Sequence, residues 1–345
     1  MGGLLAGIAP ILTWATLDGP GQPGPVVTRF TGQESAAELG ERLHALGLVD
    51  SPRLFAFYLD WFAPKVQVAE GTHLLRFGLS PRRLAQRIGR LPARPSIRVT
   101  LPEGYNHVQL GERLEAKEIC TRAELSRVVK DPKLAAELGI PATSAEGYLF
   151  PATYDFLVDS DPAQIVRLLV IKTRKRLARL DARHAGAFAG LAASRQWHEF
   201  EVLTLASIVE REASVAEEQR LIARVFLNRL DDSSFRPARM LQSDPTAGYG
   251  CLIGAGAAPS CATFSGKVTP EMLRDAQNPY NTYRHPGLPP GPVGNPGEGA
   301  IEAVLNPAQA DYLYFVADGH GRHRFSRSFE EHRRAIEQGS DRPAP

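Results

Sequence analysis

Between Glu201 and Ala213 the chain reads EVLTLASIVEREA, and Val202, Leu203, Leu205, Ala206, Ile208 and Val209 make the stretch apolar nearly all round. That pattern predicts a buried helix rather than an amphipathic one. Thr204 and Ser207 are small enough to share such a helix, and Glu210, Arg211 and Glu212 arrive at its end. A carboxylate beside so apolar a run is either solvated where the helix reaches the surface or held protonated by burial, which suits a general acid. Helical spacing does not decide between Glu210 and Glu212 for that role.

The rest of the pattern contains a repeat. Leu39-Gly40-Glu41-Arg42-Leu43 recurs as Leu110-Gly111-Glu112-Arg113-Leu114, and Ala69-Glu70-Gly71 recurs as Ala145-Glu146-Gly147. Each copy opens with a strand-like run (26–30; 97–101) and turns at a glycine (Gly32; Gly104). Two helical segments lead to the Glu-Gly pair, a second extended run follows (72–77; 148–156), and a helix closes the copy (81–90; 162–180). The order predicts two β-α-α-β units, in which Glu146 reads as part of a structural turn.

Further on, Ala216 to Leu230 predicts an amphipathic helix with Leu221, Ile222, Val225 and Phe226 inward. Residues 231–296 are rich in Gly and Pro and too long for a plain connection, which predicts a functional loop. Asn295-Pro296-Gly297 precedes a helix through Leu305. Tyr312 to Val316 and Arg322 to Phe325 flank Asp318-Gly319-His320-Gly321, a hairpin signal. Ser328 with Glu331 reads as a capping box opening the last helix, and the tail from Gly339 is expected to be disordered.

Composition narrows the class of protein. The 345 residues suffice for two or three domains, and 43% hydrophobic with 23% charged residues is ordinary for globular chains. A net charge of +2, with no aromatic-basic module, gives no case for a nucleic-acid partner. Met1 to Leu17 carries no charge but is shorter than the roughly 20 apolar residues of a membrane span. It reads first as a truncated membrane anchor, with the remnant of a signal peptide or an unstructured leader as alternatives, and Gly19 to Pro25 as a linker. Three cysteines (Cys120, Cys251, Cys261) form no CxxC pair, which disfavours structural zinc. Cys251 and Cys261 share one small-residue loop and are expected to close it as a disulfide in an oxidising compartment. No GxSxG elbow, P-loop, dinucleotide fingerprint or HExxH is present, so no cofactor or metal is expected.

Four stretches remain: EGYLFPATY (Glu146 to Tyr154), ASIVERE (Ala206 to Glu212), LQSDPTAGYG (Leu241 to Gly250) and NPYNTYRHPGLPPGPVGNPG (Asn278 to Gly297). They supply carboxylates, amides and aromatics around one buried helix, the inventory of a carbohydrate cleft. In this order, and with YLYFVADG at Tyr312 to Gly319 and HRFS at His323 to Ser326, they resemble the endolytic murein transglycosylase (YceG-like) family from about Val26 to Ile336.

The resemblance implies an α+β protein: a small LysM-like β-α-α-β domain over 26–95, then a larger mixed α/β catalytic domain over 96–338. An N-terminal anchor and linker over 1–25 and a tail over 339–345 complete it. It also implies a single-pass inner-membrane protein with a periplasmic catalytic domain, peptidoglycan glycan strands as substrate, and cell-wall synthases or the divisome as partners. The family's SIVE motif puts the catalytic glutamate on Glu210. The implied reaction cleaves the bond between N-acetylmuramic acid and N-acetylglucosamine in nascent glycan, leaves a 1,6-anhydro end and terminates strand elongation. Position in the family's strings implies Gln242, Asp244, Thr246, Asn281 and Tyr283 as contacts to substrate or to the residues that hold it, with a purely structural role the alternative for Gln242, Thr246, Asn281 and Tyr283. Asp244 is also the obvious second carboxylate, unless it is a turn residue before Pro245. Two other readings are kept: a non-catalytic peptidoglycan-binding or divisome scaffold, and a hydrolytic muramidase on the same fold. The two loop cysteines are not part of the family pattern.

Overall fold

The computed structural model describes residues 10–20, 25–90 and 96–340. Residues 1–9 of the expected anchor, 21–24 of its linker and 341–345 of the tail lie outside the described residues. Among the described residues no helix is long and apolar enough to cross a membrane. The chain divides into two units, residues 1–97 with 155–159, and residues 98–154 with 160–345.

The first unit runs β1 (Pro25–Phe30), α1 (Ala36–Ala45), α2 (Pro52–Phe62), β2 (Gly71–Arg76) and α3 (Pro81–Ile88). β1 and β2 pair antiparallel, Val26 opposite Leu75 and Phe30 opposite Gly71. Each helix begins at a serine (Ser35, Ser51, Ser80) whose side chain accepts a first-turn N–H, which supplies a partner that the helix itself cannot. Phe30, Leu43, Phe55, Leu75, Leu84 and Ile88 are fully buried in its core. Each contributes about 1.5–3 kcal/mol by leaving water.

The second β-α-α-β copy is β3 (Ser96–Thr100), α4 (His107–Glu115), α5 (Arg122–Val129), α6 (Pro132–Glu137) and β4 (Thr153–Leu157), closed by α7 (Pro162–Arg183). It holds one helix more than expected, because Asp131 caps a new start at Pro132. β3 and β4 form a two-stranded sheet. The repeated pentapeptide marks the same helix crossing in both copies. A Cβ on Gly40 would lie 2.4 Å from the Pro52 carbonyl oxygen, and one on Gly111 would lie 3.0 Å from Arg122 Cα. At Gly40 only glycine lets α1 meet α2 so closely, and at Gly111 any side chain would push α5 back by a few tenths of an ångström.

The remainder supplies α8 (Ala187–Arg195), α9 (Glu199–Glu212), α10 (Gln219–Asp231), α11 (Asp244–Leu252), α12 (Pro270–Arg274), α13 (Glu298–Leu305), β5 (Tyr314–Ala317), β6 (His323–Ser326) and α14 (Phe329–Ser340). α9 is buried from Val202 through Val209 and packs on α13 and α10. Its hydroxyls are satisfied: Thr204 donates to the Phe200 carbonyl at 2.8 Å and Ser207 to that of Thr204 at 2.8 Å. Residues 231–296, expected as a loop, contain α11 and α12. Asp244 is therefore the first residue of a helix rather than a turn residue, and Pro245 sits in that helix's first turn, where its missing N–H costs nothing. β5 and β6 form an antiparallel hairpin with Tyr314 opposite Ser326. Behind it the Arg229 guanidinium, 5% exposed, lies among the rings of Phe226, Phe235, Tyr314 and Phe315. It donates to the carbonyls of Leu313 and Leu241, tying α10 to the hairpin and to the residue before Gln242. The last helix reaches Ser340, two residues into the tail expected to be disordered.

Candidate active site

Glu210 stands in the last turn of α9, half-buried. Its Oε2 accepts the backbone N–H of Gly297 at 3.0 Å, and Gly297 is the residue that begins α13. The carboxyl thus faces the electropositive end of a helix. Gly104 (φ 73°) packs on its other side, where a Cβ would come within 3.3 Å of Glu210 Cγ. A Cβ on Gly297 would lie 2.2 Å from the carboxyl carbon and Oε1 of Glu103. Two glycines therefore let two carboxyl groups converge. Burial pushes the Glu210 carboxyl above its ordinary range, the Gly297 N–H pulls against that, and the negative charge of Glu103 adds to the rise.

Glu212, two residues on, serves another side of the helix end. Its Oε1 accepts the Ser243 hydroxyl at 2.5 Å, and burial raises its carboxyl against that bond. Helical spacing left the two glutamates equivalent; packing separates them, Glu210 toward Gly297 and Glu212 toward Ser243.

The loops around Glu210 hang on a buried carboxylate. Glu146, 3% exposed, accepts the His107 backbone N–H on both oxygens (3.1 and 3.0 Å) and pairs with His107 Nδ1 at 2.5 Å. It also accepts from the Tyr249 hydroxyl at 3.0 Å and from Asn295 Nδ2 at 2.7 Å. Asn295 in turn donates its backbone N–H to the Tyr105 carbonyl at 3.0 Å, takes the Leu149 N–H on Oδ1 at 2.9 Å, and accepts the Gly104 N–H on its own carbonyl at 2.8 Å. Glu146 therefore fixes the two backbone segments, 104–105 and 295–297, that enclose Glu210. Its role is structural: Glu146 lies in the expected turn, closed by the Tyr148 N–H on the Ala145 carbonyl at 3.1 Å, and its side chain is also a buried hub.

A cleft of about 680 Å³ is lined by Arg211, the residue after Glu210, and by Asn106, Gln109, Asp244, Lys267 and Val293 among others; Glu210 itself is not in its lining. Donors, acceptors and an apolar wall in one concavity suit a sugar chain. Asp244 is exposed and accepts the Tyr283 hydroxyl at 2.7 Å. Gln242 is half-buried and held at φ 55°, a left-handed backbone that non-glycine residues rarely adopt, with its N–H on the Thr282 carbonyl at 3.1 Å.

Of the two roles open to Thr246 and Asn281, contact with substrate or support of the site, the structure gives the second: both are fully buried and face protein. Thr246 Oγ1 donates to the Ser243 carbonyl at 2.6 Å and meets Thr282 Oγ1 at 2.8 Å. Asn281 Nδ2 reaches the carbonyls of Met272, Leu273 and Asp275 at 3.1, 3.0 and 2.8 Å, closing the C-terminal end of α12. Both brace the loops and cannot reach a ligand. Glu103, Glu146, Asn295 and Gly297 were not singled out as site residues, because their partners are remote in sequence. Cys251, inside α11, and Cys261 are joined by a disulfide, Cα–Cα 4.8 Å. Among the described residues no group of three or more His, Cys, Asp or Glu side chains is arranged to hold a metal ion.

Comparison with known proteins adds relatives to this geometry. The YceG-like family matches residues 30–338. An endolytic murein transglycosylase of Bacillus subtilis (strain 168) is 32% identical over 194 residues, covering 56% of this chain and 47% of that protein. An endolytic murein transglycosylase of Streptococcus pneumoniae serotype 2 is 28% identical over 325 residues, covering 87% of this chain and 55% of its own length. The chain spans about half the length of these relatives. A crystal structure of a yceG-like protein from Listeria monocytogenes superposes with a TM-score of 0.56 at 27% identity, covering 91% of this chain and 99% of the other.

Proposed function

The chain belongs to the YceG-like family, and from that premise we propose that it is a lytic transglycosylase acting on peptidoglycan. The observation that carries the reading is Glu210: a half-buried carboxyl raised by burial, with one oxygen fixed by the Gly297 N–H. Fixing Oε2 presents the acidic proton on Oε1. Glu210 gives that proton to the oxygen linking N-acetylmuramic acid to N-acetylglucosamine as the C1–O bond breaks. The carboxylate so formed is stabilised by the Gly297 N–H and the helix end behind it. It then takes the proton of the muramoyl 6-hydroxyl while that oxygen bonds to C1, giving a 1,6-anhydro end. No water is consumed, and one carboxyl serves both steps because the substrate brings its own nucleophile, unlike ordinary glycosidases.

The first unit is LysM-like in this reading. Its antiparallel β1–β2 pair encloses two helices, and α2 presents Phe57 and Trp61 stacked at 5.9 Å and exposed, a surface suited to sugar faces. The enzyme works outside the inner membrane, anchored by its N-terminal segment, beside the cell-wall synthases. The Cys251–Cys261 bond supports an oxidising compartment.

Mass spectrometry of glycan products from purified and nascent peptidoglycan, with wild type beside Glu210→Gln, tests the reading. Anhydro ends from wild type alone are expected. Products one water heavier would mean a hydrolase, and no product from either protein would mean a scaffold.

A further inference from the structure

Glu103 has no role in the reaction just described, yet its carboxylate is packed against the residue that holds the acid. The Glu103 carboxyl carbon and Oε1 occupy the space where any side chain at 297 would begin, 2.2 Å from an ideal Cβ position. That same Gly297 donates to Glu210 Oε2 at 3.0 Å. The next residue, Gly104, lies against Glu210 Cγ and is fastened by its N–H to the Asn295 carbonyl at 2.8 Å. The backbone carrying Glu103 is therefore fixed from the same turn that carries Gly297. Two carboxyl groups from opposite segments meet at one helix N-terminus.

We infer that Glu103 is a second working carboxylate of this site: its negative charge, set against Gly297, holds the proton on Glu210. The inference rests on the reading of Glu210 as the acid. Glu103 is exposed to water. Two like charges so placed do not both form readily, and the less solvated of the two keeps its proton. Glu210 is the half-buried one, and the charge of Glu103 acts on it in that direction.

The other charges nearby are otherwise engaged. Arg211 turns its guanidinium to the Gly104 carbonyl at 3.4 Å. Glu212 is bonded to Ser243, and Asp244 to the Tyr283 hydroxyl. Glu298, first in α13, is paired with Arg176 at 2.8 Å and Arg183 at 3.5 Å on α7. The arrangement serves both halves of the reaction. A carboxyl that holds its proton more tightly stays acid to higher pH, and its carboxylate is the stronger base for the 6-hydroxyl. Glu103 thus acts through Glu210 and needs no contact with substrate.

The test compares pH–rate profiles of anhydro-product formation for wild type, Glu103→Gln and Glu103→Asp, with Glu210→Gln as the inactive control and thermal melts to verify folding. For Glu103→Gln the alkaline limb is expected to move to lower pH, so that the loss is severalfold at neutral pH and smallest at acid pH. Glu103→Asp, which keeps the charge, restores part of the limb. A limb that stays in place in Glu103→Gln, or a loss equal at every pH, would overturn the inference. Carboxyl ¹³C NMR of Glu210 gives a second readout that needs no activity: its titration midpoint falls in Glu103→Gln, and an unmoved midpoint would sink the idea. An inactive wild type or an active Glu210→Gln would instead strike at the transglycosylase reading.

Discussion

Asn295 Nδ2 donates to the buried carboxylate of Glu146 at 2.7 Å, two residues before Gly297 meets Glu210. Through that bond the position of the acid depends on a glutamate that does not touch it. Glu146→Ala would leave the His107 N–H and ring, the Tyr249 hydroxyl and the Asn295 amide buried without a partner. A loss of about 3–5 kcal/mol is expected, as for breaking other buried charge pairs, and chemical denaturation measures it. Glu146→Gln keeps the shape and part of the hydrogen bonding, so it should lose less stability. Its kcat should nevertheless fall more than its KM changes.

Gly297→Ala separates room from backbone conformation. Gly297 has φ −73° and ψ 172°, which alanine adopts without strain. The added methyl would collide with the flexible end of Glu103. The variant is expected to fold, with stability within about 1 kcal/mol of wild type, and to lose much of its activity. Melting curves beside product assays decide the point, and full activity in the folded variant would show that the close approach is idle.

Glu210 also predicts a sign for stability against pH. Its folded-state carboxyl is raised above the ordinary value by burial, so the native protein binds its proton more tightly than the unfolded chain does. The stability this contributes is full below the ordinary carboxylate range and is lost as pH rises through the raised value. Glu210→Gln removes the dependence. The mutant should gain in stability relative to wild type as pH rises from about 4 to 8, and melts across that range would show a falling difference if the sign were wrong.

The thiols provide a chemical count. Unreduced, denatured protein should show one free thiol, Cys120, since Cys251 and Cys261 are bonded. In the folded protein burial, with Glu124 and Glu115 adding, pushes the Cys120 thiol up to about 12, so alkylation there should be slow. Reduction, or Cys251→Ser, is expected to lower stability by about 2–3 kcal/mol through the freed loop. Three thiols without reductant would refute the bond.

Legibility in the sequence followed the range of the interaction. α9 was plain because its apolar run is local, and the repeat was plain because Gly40 and Gly111 answer to the same helix crossing. α11 was missed because two glycines and a proline disguise a helix in a stretch that reads as loop. Glu70 and Glu146 look alike in their Glu-Gly pairs, yet one is exposed and the other is 3% exposed. The difference lies in His107, Tyr249 and Asn295, which no local pattern connects. Thr246 and Asn281 carry the same polar groups whether aimed at a sugar or at a backbone carbonyl, so only packing could assign them.

The site also has an order in time. Glu210 and its partner Gly297 are 87 residues apart, Glu146 and Asn295 are 149 apart, and Asn295 reaches back 190 residues to Tyr105. Loops of that length close late, after the local helices exist. A nascent chain that has emerged as far as α9 carries its glutamate but has neither the helix end nor the hub that make it an acid. On the proposed reading, competence arrives only with these long-range closures, and a half-folded chain holds the glutamate without the site around it.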